Sequence, residues 1–299
     1  MSADAPADRP IRHESGRRLA PPSLAGVPPE PGVAKPDPIL VADHVSRRFG
    51  GLRAVDVDHL EVQRGTITAL IGPNGAGKST FFNLVSGFDK ADTGTWSFEG
   101  RPLQGMSANR IARVGMVRTF QLTKALMRLT TLENVMLGAT DQVGERFLPA
   151  ILRPLWRSQE REIEARADEL LERFKLTHMR DEFAGTMSGG QRKLLEMARA
   201  MMVQPSMIML DEPMAGVNPA LTQSLLGHIE RLRDEGTTIV LVEHDMDVVM
   251  GVSDWVICFA EGRVIAEGCP QDIGTNDAVI DAYLGSRRSL PHEPEETTR

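Results

Sequence analysis

The chain has 299 residues, is 41% hydrophobic and carries a formal net charge of −7, which allows one large lobed domain or two small ones and lacks the basic footprint of a nucleic-acid binder. Its two cysteines, Cys258 and Cys269, stand apart from any Cys/His cluster, so a zinc site and a disulfide scaffold are excluded and reduced, buried thiols are expected. No run reaches the roughly 18 apolar residues of a spanning helix, and no apolar segment near the start serves as a signal peptide, so the chain is expected to be soluble and to meet a membrane only through a partner.

In chain order, residues 1–37 hold 8 of the 19 prolines. Proline removes donors and blocks helix, so this stretch is expected to be a disordered extension outside the core. Residues 66–71 form a short apolar strand that runs into a Gly-rich loop, followed by a helix from Lys78 to about Val85. Thr93 to Phe98 alternates between glycines and reads as a strand. Residues 157–176 have helical period, with Glu162–Arg166 and Glu169–Arg173 paired at i,i+4 on a solvated face. Residues 207–210 and 238–242 are compact apolar runs, each ending at an acidic residue. Continuous hydrophobicity suits strands covered on both faces, as in a mainly parallel sheet. The folded domain is expected over 38–285, with a flexible tail over 286–299.

Ligands of parallel sheets bind beyond the carboxyl ends of the strands. The Gly-rich loop, Asp211–Glu212 and Glu243–His244 all follow such ends, which predicts one site. Gly72-Pro73-Asn74-Gly75-Ala76-Gly77-Lys78-Ser79-Thr80 fits the phosphate-binding loop pattern between a strand and a helix. Glycines let successive N–H groups turn inward around phosphate oxygens, and the helix adds the positive end of its dipole. Lys78 is placed to reach the β- and γ-phosphates, and the Ser79 hydroxyl to ligate Mg²⁺. The loop alone says only that a nucleoside triphosphate is bound. Asp211 closes an apolar strand and is placed for the Mg²⁺ shell. Glu212 is placed to polarise the attacking water as a general base. An isolated Asp-Glu pair could equally cap a helix; the upstream phosphate loop and Pro213 favour the catalytic reading.

Met187-Ser188-Gly189-Gly190-Gln191 opens a helix that runs through about Met202. Ser188 is a good N-cap, and Gly189 and Gly190 leave N–H groups bare at a helix start, which is a second anion site. In isolation the same residues would read as an ordinary capped helix. Their position shortly before the Asp-Glu strand resembles the ABC ATPase family, whose signature is usually Leu-Ser-Gly-Gly-Gln. Met187 replaces that Leu with a side chain of similar volume.

The resemblance covers nearly everything from 39 to 285. It implies a P-loop α/β NTPase cassette with a small antiparallel β lobe and a helical lobe inserted at about 122–190. It also implies ATP with Mg²⁺ as the bound species. Gln121 matches the Q-loop glutamine, which touches Mg²⁺ and the attacking water. His244 matches the switch histidine, which contacts the γ-phosphate. Asn218, in Ala215-Gly216-Val217-Asn218-Pro219, stands where the D-loop usually has Asp. Phe49 stands where the family places an aromatic on adenine, although a lone Phe before Gly50-Gly51 also fits a core position. Family members dimerise head to tail, so a second cassette is the implied partner, each ATP lying between one phosphate loop and the other chain's signature.

Several stretches are similar to the ATP-binding subunits of branched-chain amino acid importers: Val117-Arg118-Thr119-Phe120-Gln121, Val242-Glu243-His244-Asp245-Met246 and Ala282-Tyr283-Leu284-Gly285. The segment 143–166 is typical of that group; its apolar start, 147–152, faces either a partner or the core. This likeness implies two transmembrane permease subunits, an extracytoplasmic solute-binding protein reached through them, and a place on the inner face of the cell membrane. The competing class is a soluble ABC ATPase acting in translation or DNA maintenance. Such proteins tend to carry two cassettes or long coiled coils, and this chain has neither.

Overall fold

The computed structural model describes residues 22–119, 127–140 and 153–288. The chain opens with β1 (Pro38–Phe49), β2 (Leu52–Gln63) and β3 (Ile67–Ile71), then α1 (Lys78–Val85), β4 (Thr93–Phe98), β5 (Arg101–Pro102), α2 (Ala108–Arg113) and β6 (Met116–Arg118). Helices α3 (Thr131–Met136), α4 (Arg153–Arg173) and α5 (Gly189–Met201) follow. The rest is β7 (Met207–Asp211), α6 (Pro219–Asp234), β8 (Thr238–Val242), α7 (Met246–Val252), β9 (Trp255–Ala260), β10 (Arg263–Gly268), α8 (Pro270–Gly274) and α9 (Asp277–Arg288).

Two sheets organise these elements. One is antiparallel, in the order β2-β1-β4-β5; the other runs β10-β9-β3-β8-β7-β6. In the second sheet every neighbouring pair is parallel except the β9–β10 hairpin. The compact apolar runs are continuous because each strand of this sheet feeds two cores. Met207 and Met209 of β7, with Val240 and Val242 of β8, face the antiparallel sheet and α1. Ile208, Leu210, Ile239 and Leu241 face the layer of α5, α6 and α7, which continues into α3 and α4. Side chains alternate along a strand, so a strand apolar at every position needs cover on both faces.

The register brings three strand ends to one edge. Leu70 of β3 and Asp211 of β7 both pair with Val242 of β8. The residues just beyond β3, β7 and β8 therefore share one rim of the sheet.

Residues 22–37 correct the expectation of a disordered extension. Leu24 is buried in the core beside the antiparallel sheet. Lys35 Nζ forms a fully buried ion pair with Glu267 Oε2 at 2.8 Å and lies 4.7 Å from the centre of the Trp255 ring. Trp255 Nε1 donates to the same carboxylate at 2.8 Å, the Val33 N–H donates to Glu267 Oε1 at 3.1 Å, and the Lys35 N–H donates to Glu61. Composition misleads here because a strap of this kind needs no apolar run. One leucine and two buried carboxylates, on β2 and β10, hold it. Helix α9 also runs to Arg288, past residue 286 where the tail is expected to start. Of the two thiols, Cys258 is buried, with its pKa pushed up to about 12 by burial. Cys269 is half-buried at the start of α8 and donates to Asp272 at 2.9 Å.

Candidate functional site

The phosphate loop leaves β3 through glycines at φ 141° (Gly72), 80° (Gly75) and 100° (Gly77). A Cβ on Gly72 would lie 2.1 Å from the Phe259 carbonyl oxygen, and one on Gly77 2.3 Å from that of Ala54. Only glycine satisfies both the left-handed backbone and the lack of space. Helix α1 then starts at Lys78 with no side-chain cap, so its first N–H groups stay open toward an anion. Lys78 is buried and folds back on its own loop, donating to the carbonyls of Gly72 at 2.6 Å and Pro73 at 3.1 Å. Burial, the largest effect, lowers its pKa, while nearby Glu212, Cys258 and Asp211 oppose the shift. Asn74, Gly75 and Ser79 are exposed, and Thr80 is half-buried.

Asp211 ends β7 and accepts a hydrogen bond from Arg118 Nη2 at 2.7 Å, in a pair that is mostly shielded from solvent. Glu212 follows with φ 46°, uncommon for a residue with a side chain and a recurrent mark of functional positions. Its N–H bonds to the Val242 carbonyl at 3.0 Å, which holds the turn against β8. His244, beyond β8, brings Nδ1 to 4.0 Å from Glu212 Oε1. Lysine, the Asp–Glu pair and the histidine therefore meet at the shared rim.

The signature residues form a closed helix start. Ser188 Oγ accepts from the Gln191 N–H and the Gln191 side chain accepts from the Ser188 N–H, a complete capping box. Gly189 faces open space, whereas a Cβ on Gly190 would run into Leu221 of α6. Met187 is buried in the core beneath, as its apolar character predicts. Asn218 caps α6 by accepting from the Leu221 N–H at 3.0 Å, so the amide does the capping without a charge. Phe49 is 49% exposed, with the Arg47 guanidinium 4.7 Å from its ring centre. That exposure overturns the core reading. Gln121 lies outside the described residues, as does the apolar stretch 147–152.

The structure adds residues that the motif reading left without a role. Arg118, besides holding Asp211, donates to Asn83 at 2.6 Å. Glu243 is buried and accepts from the Met214 N–H at 3.0 Å, tying the segment after β8 to the segment after Glu212; burial raises its pKa. Lys193 on the signature helix donates to the Glu212 carbonyl at 3.0 Å. Their residue types alone carried no signal of these partners.

A strand–loop–helix phosphate cradle at the carboxyl rim of a parallel sheet, with an Asp–Glu pair at the end of β7, one strand beyond β8, defines a P-loop nucleotide-binding α/β protein. The family follows from comparison. A family model described as ABC transporter matches residues 55–215, and one described as branched-chain amino acid ATP-binding cassette transporter matches 263–288. The chain is 43% identical over 251 residues to the probable branched-chain amino acid transport ATP-binding protein LivG of Archaeoglobus fulgidus, covering 84% of this chain and 97% of that one. It is 41% identical over 250 residues to the high-affinity branched-chain amino acid transport ATP-binding protein BraF of Pseudomonas aeruginosa, covering 83% and 98%. Among solved structures it is similar to the ADP conformation of MJ1267, an ATP-binding cassette of an ABC transporter. That match has a TM-score of 0.73 and 36% identity, and covers 83% of this chain and 99% of that one. The chain belongs to the ABC transporter ATP-binding family, and it is an ATPase coupled to transport. No described helix is long and apolar enough to cross a membrane.

Proposed function

We propose that this chain hydrolyses MgATP at the β–γ bond and thereby powers uptake of a branched-chain amino acid. The observation that carries the hydrolytic half is the shared rim where Lys78, Asp211, Glu212 and His244 follow adjacent parallel strands. Lys78 would release the Gly72 and Pro73 carbonyls and move to the phosphates, which the backbone N–H groups of Gly75, Gly77, Lys78, Ser79 and Thr80 would also contact. Glu212 acts as general base, Gln121 and His244 orient water and γ-phosphate, and Phe49 stacks on adenine.

Among the described residues no three His, Cys, Asp or Glu side chains form a metal cluster of their own. The Ser79 hydroxyl and the Asp211 carboxylate are hard oxygen donors, which fits Mg²⁺ arriving with the nucleotide and completing its shell on phosphates. Bound there, the ion would neutralise charge on the transferred group. Asp211 must then share or exchange its Arg118 partner.

The phosphate loop would already surround one nucleotide, so the bare N–H groups at Gly189 and Gly190 suit the nucleotide of a second cassette. A cleft of about 500 Å³ runs beside Val117, Arg118 and Thr119 and is walled by α2, the end of α3 and α5. Next to it Met127, within the stretch 122–132 that follows Gln121, is 43% exposed. That region is where two membrane permease subunits would dock, placing the chain on the inner face of the cell membrane and linking it to a solute-binding protein outside. Closure of the dimer on ATP would then move the permeases through differential binding of the two states.

The solute reading rests on the names of the relatives and on the match over 263–288. Uptake of labelled leucine in cells with the gene intact, deleted, or replaced by Glu212→Gln tests it. Uptake lost in both altered strains is the expected result. Unchanged leucine uptake together with lost uptake of an amide or urea would move the solute, and no change in any uptake would remove the transport reading.

A further inference from the structure

The segment 263–288 lies outside every motif that carries the chemistry, yet one of its side chains reaches the phosphate loop. The Gly72 N–H donates to the Tyr283 hydroxyl at 2.9 Å, across 211 residues of chain. Gly72 is therefore bracketed on both sides of its backbone. Its N–H is held by Tyr283, and its carbonyl accepts from Lys78 Nζ at 2.6 Å. Behind it the space for a side chain is filled by the Phe259 carbonyl, so the glycine is pressed between β9 and the C-terminal helix.

Helix α9 is built to deliver this hydroxyl. Val279, one turn earlier, is buried, and Tyr283 packs on the same core, while Ile280 and Leu284 point outward and are exposed. An i,i+4 pair on the inner face fixes the helix rotation that aims the ring at Gly72. Burial raises the Tyr283 pKa above its ordinary value, and it is the hydroxyl oxygen that accepts from the Gly72 N–H.

We propose that Tyr283 is a positioning residue for the nucleotide, holding the first glycine of the phosphate loop in place while Lys78 leaves that glycine's carbonyl for the phosphates. The inference rests on reading residues 72–80 as the nucleotide site. When Lys78 departs, one of the two brackets on Gly72 is gone, and Tyr283 is the one that persists. Without it, a partly buried N–H loses its partner and the loop samples conformations that do not match the phosphates. The C-terminal segment thus contributes to affinity for nucleotide and leaves the chemical step to Glu212.

Tyr283→Phe removes one oxygen and keeps the packing. In the full-length chain it should raise the KM for ATP and the Kd for ADP about three- to tenfold, the worth of one neutral hydrogen bond, with kcat nearly unchanged. Tyr283 is the single tyrosine of the chain, so 3-fluorotyrosine labelling gives one ¹⁹F resonance, which should move on ADP addition and saturate with nucleotide binding. Lys78→Ala serves as the control. If Lys78→Ala loses nucleotide while Tyr283→Phe keeps wild-type KM and Kd and the resonance stays still, the positioning role is overturned. If Lys78→Ala binds nucleotide like the wild type, the reading of the loop fails and the role of Tyr283 falls with it.

Discussion

The chain has two Gly-rich helix starts, and they are built in opposite ways. At the phosphate loop the glycines sit at positive φ, the helix has no side-chain cap, and the nearest cation is folded onto the loop's own carbonyls. At the signature, the glycines are ordinary first-turn residues, and Ser188 and Gln191 close the helix end on each other. The first arrangement leaves a row of donors open and holds a lysine ready to move. The second has satisfied the donor at Gln191 and leaves Gly189 and Gly190 as the uncapped ones. A sequence rich in glycine before a helix therefore has two physical meanings, a cradle or a flat exposed edge. The cradle encloses a ligand alone, whereas the edge suits a ligand presented by another surface.

Substitutions by alanine separate the two. Gly77→Ala puts a methyl against a backbone carbonyl at positive φ, so nucleotide affinity should fall by more than roughly tenfold, measured by calorimetry. Near wild-type affinity would mean the loop is not a tight cradle. Gly190→Ala meets a movable leucine side chain, so a smaller loss of about 1–2 kcal/mol is expected, read from denaturant unfolding. Ser188→Ala removes half the capping box and should cost about 1 kcal/mol in the same assay. Gly189→Ala meets nothing and should leave stability within about 0.5 kcal/mol of wild type. A large destabilisation by Gly189→Ala would show that the signature start is packed and not an open edge.

What was legible in the sequence was local. The phosphate loop, the Asp-Glu strand end and the capped signature helix are each written within a few consecutive residues, because turn geometry and strand burial act at that range. The two-faced burial of β7 and β8 could be inferred from unbroken apolar runs. Connections between distant residues left no such trace. Arg118 reaches Asp211 across 93 positions, and Tyr283 reaches Gly72 across 211. Lys193 and Glu243 bond to backbone groups, which any sequence supplies. The strap at 22–37 departs from what its composition suggests for a related reason. Its attachment is a buried ion pair of Lys35 with Glu267, and composition registers neither partner. That pair also shows why the strap is specific, since removing one partner of a buried pair leaves the other charge uncompensated.

The most direct measurement is ATP binding and hydrolysis by the Glu212→Gln chain beside the wild type. The substitution keeps the shape and the backbone bonds of Glu212 to Val242 and Lys193 while removing the base. Binding of MgATP should be retained and turnover should fall by roughly 10²–10⁴. Hydrolysis at the wild-type rate would contradict the assignment of Glu212 and with it the chemistry drawn from the shared rim of β3, β7 and β8.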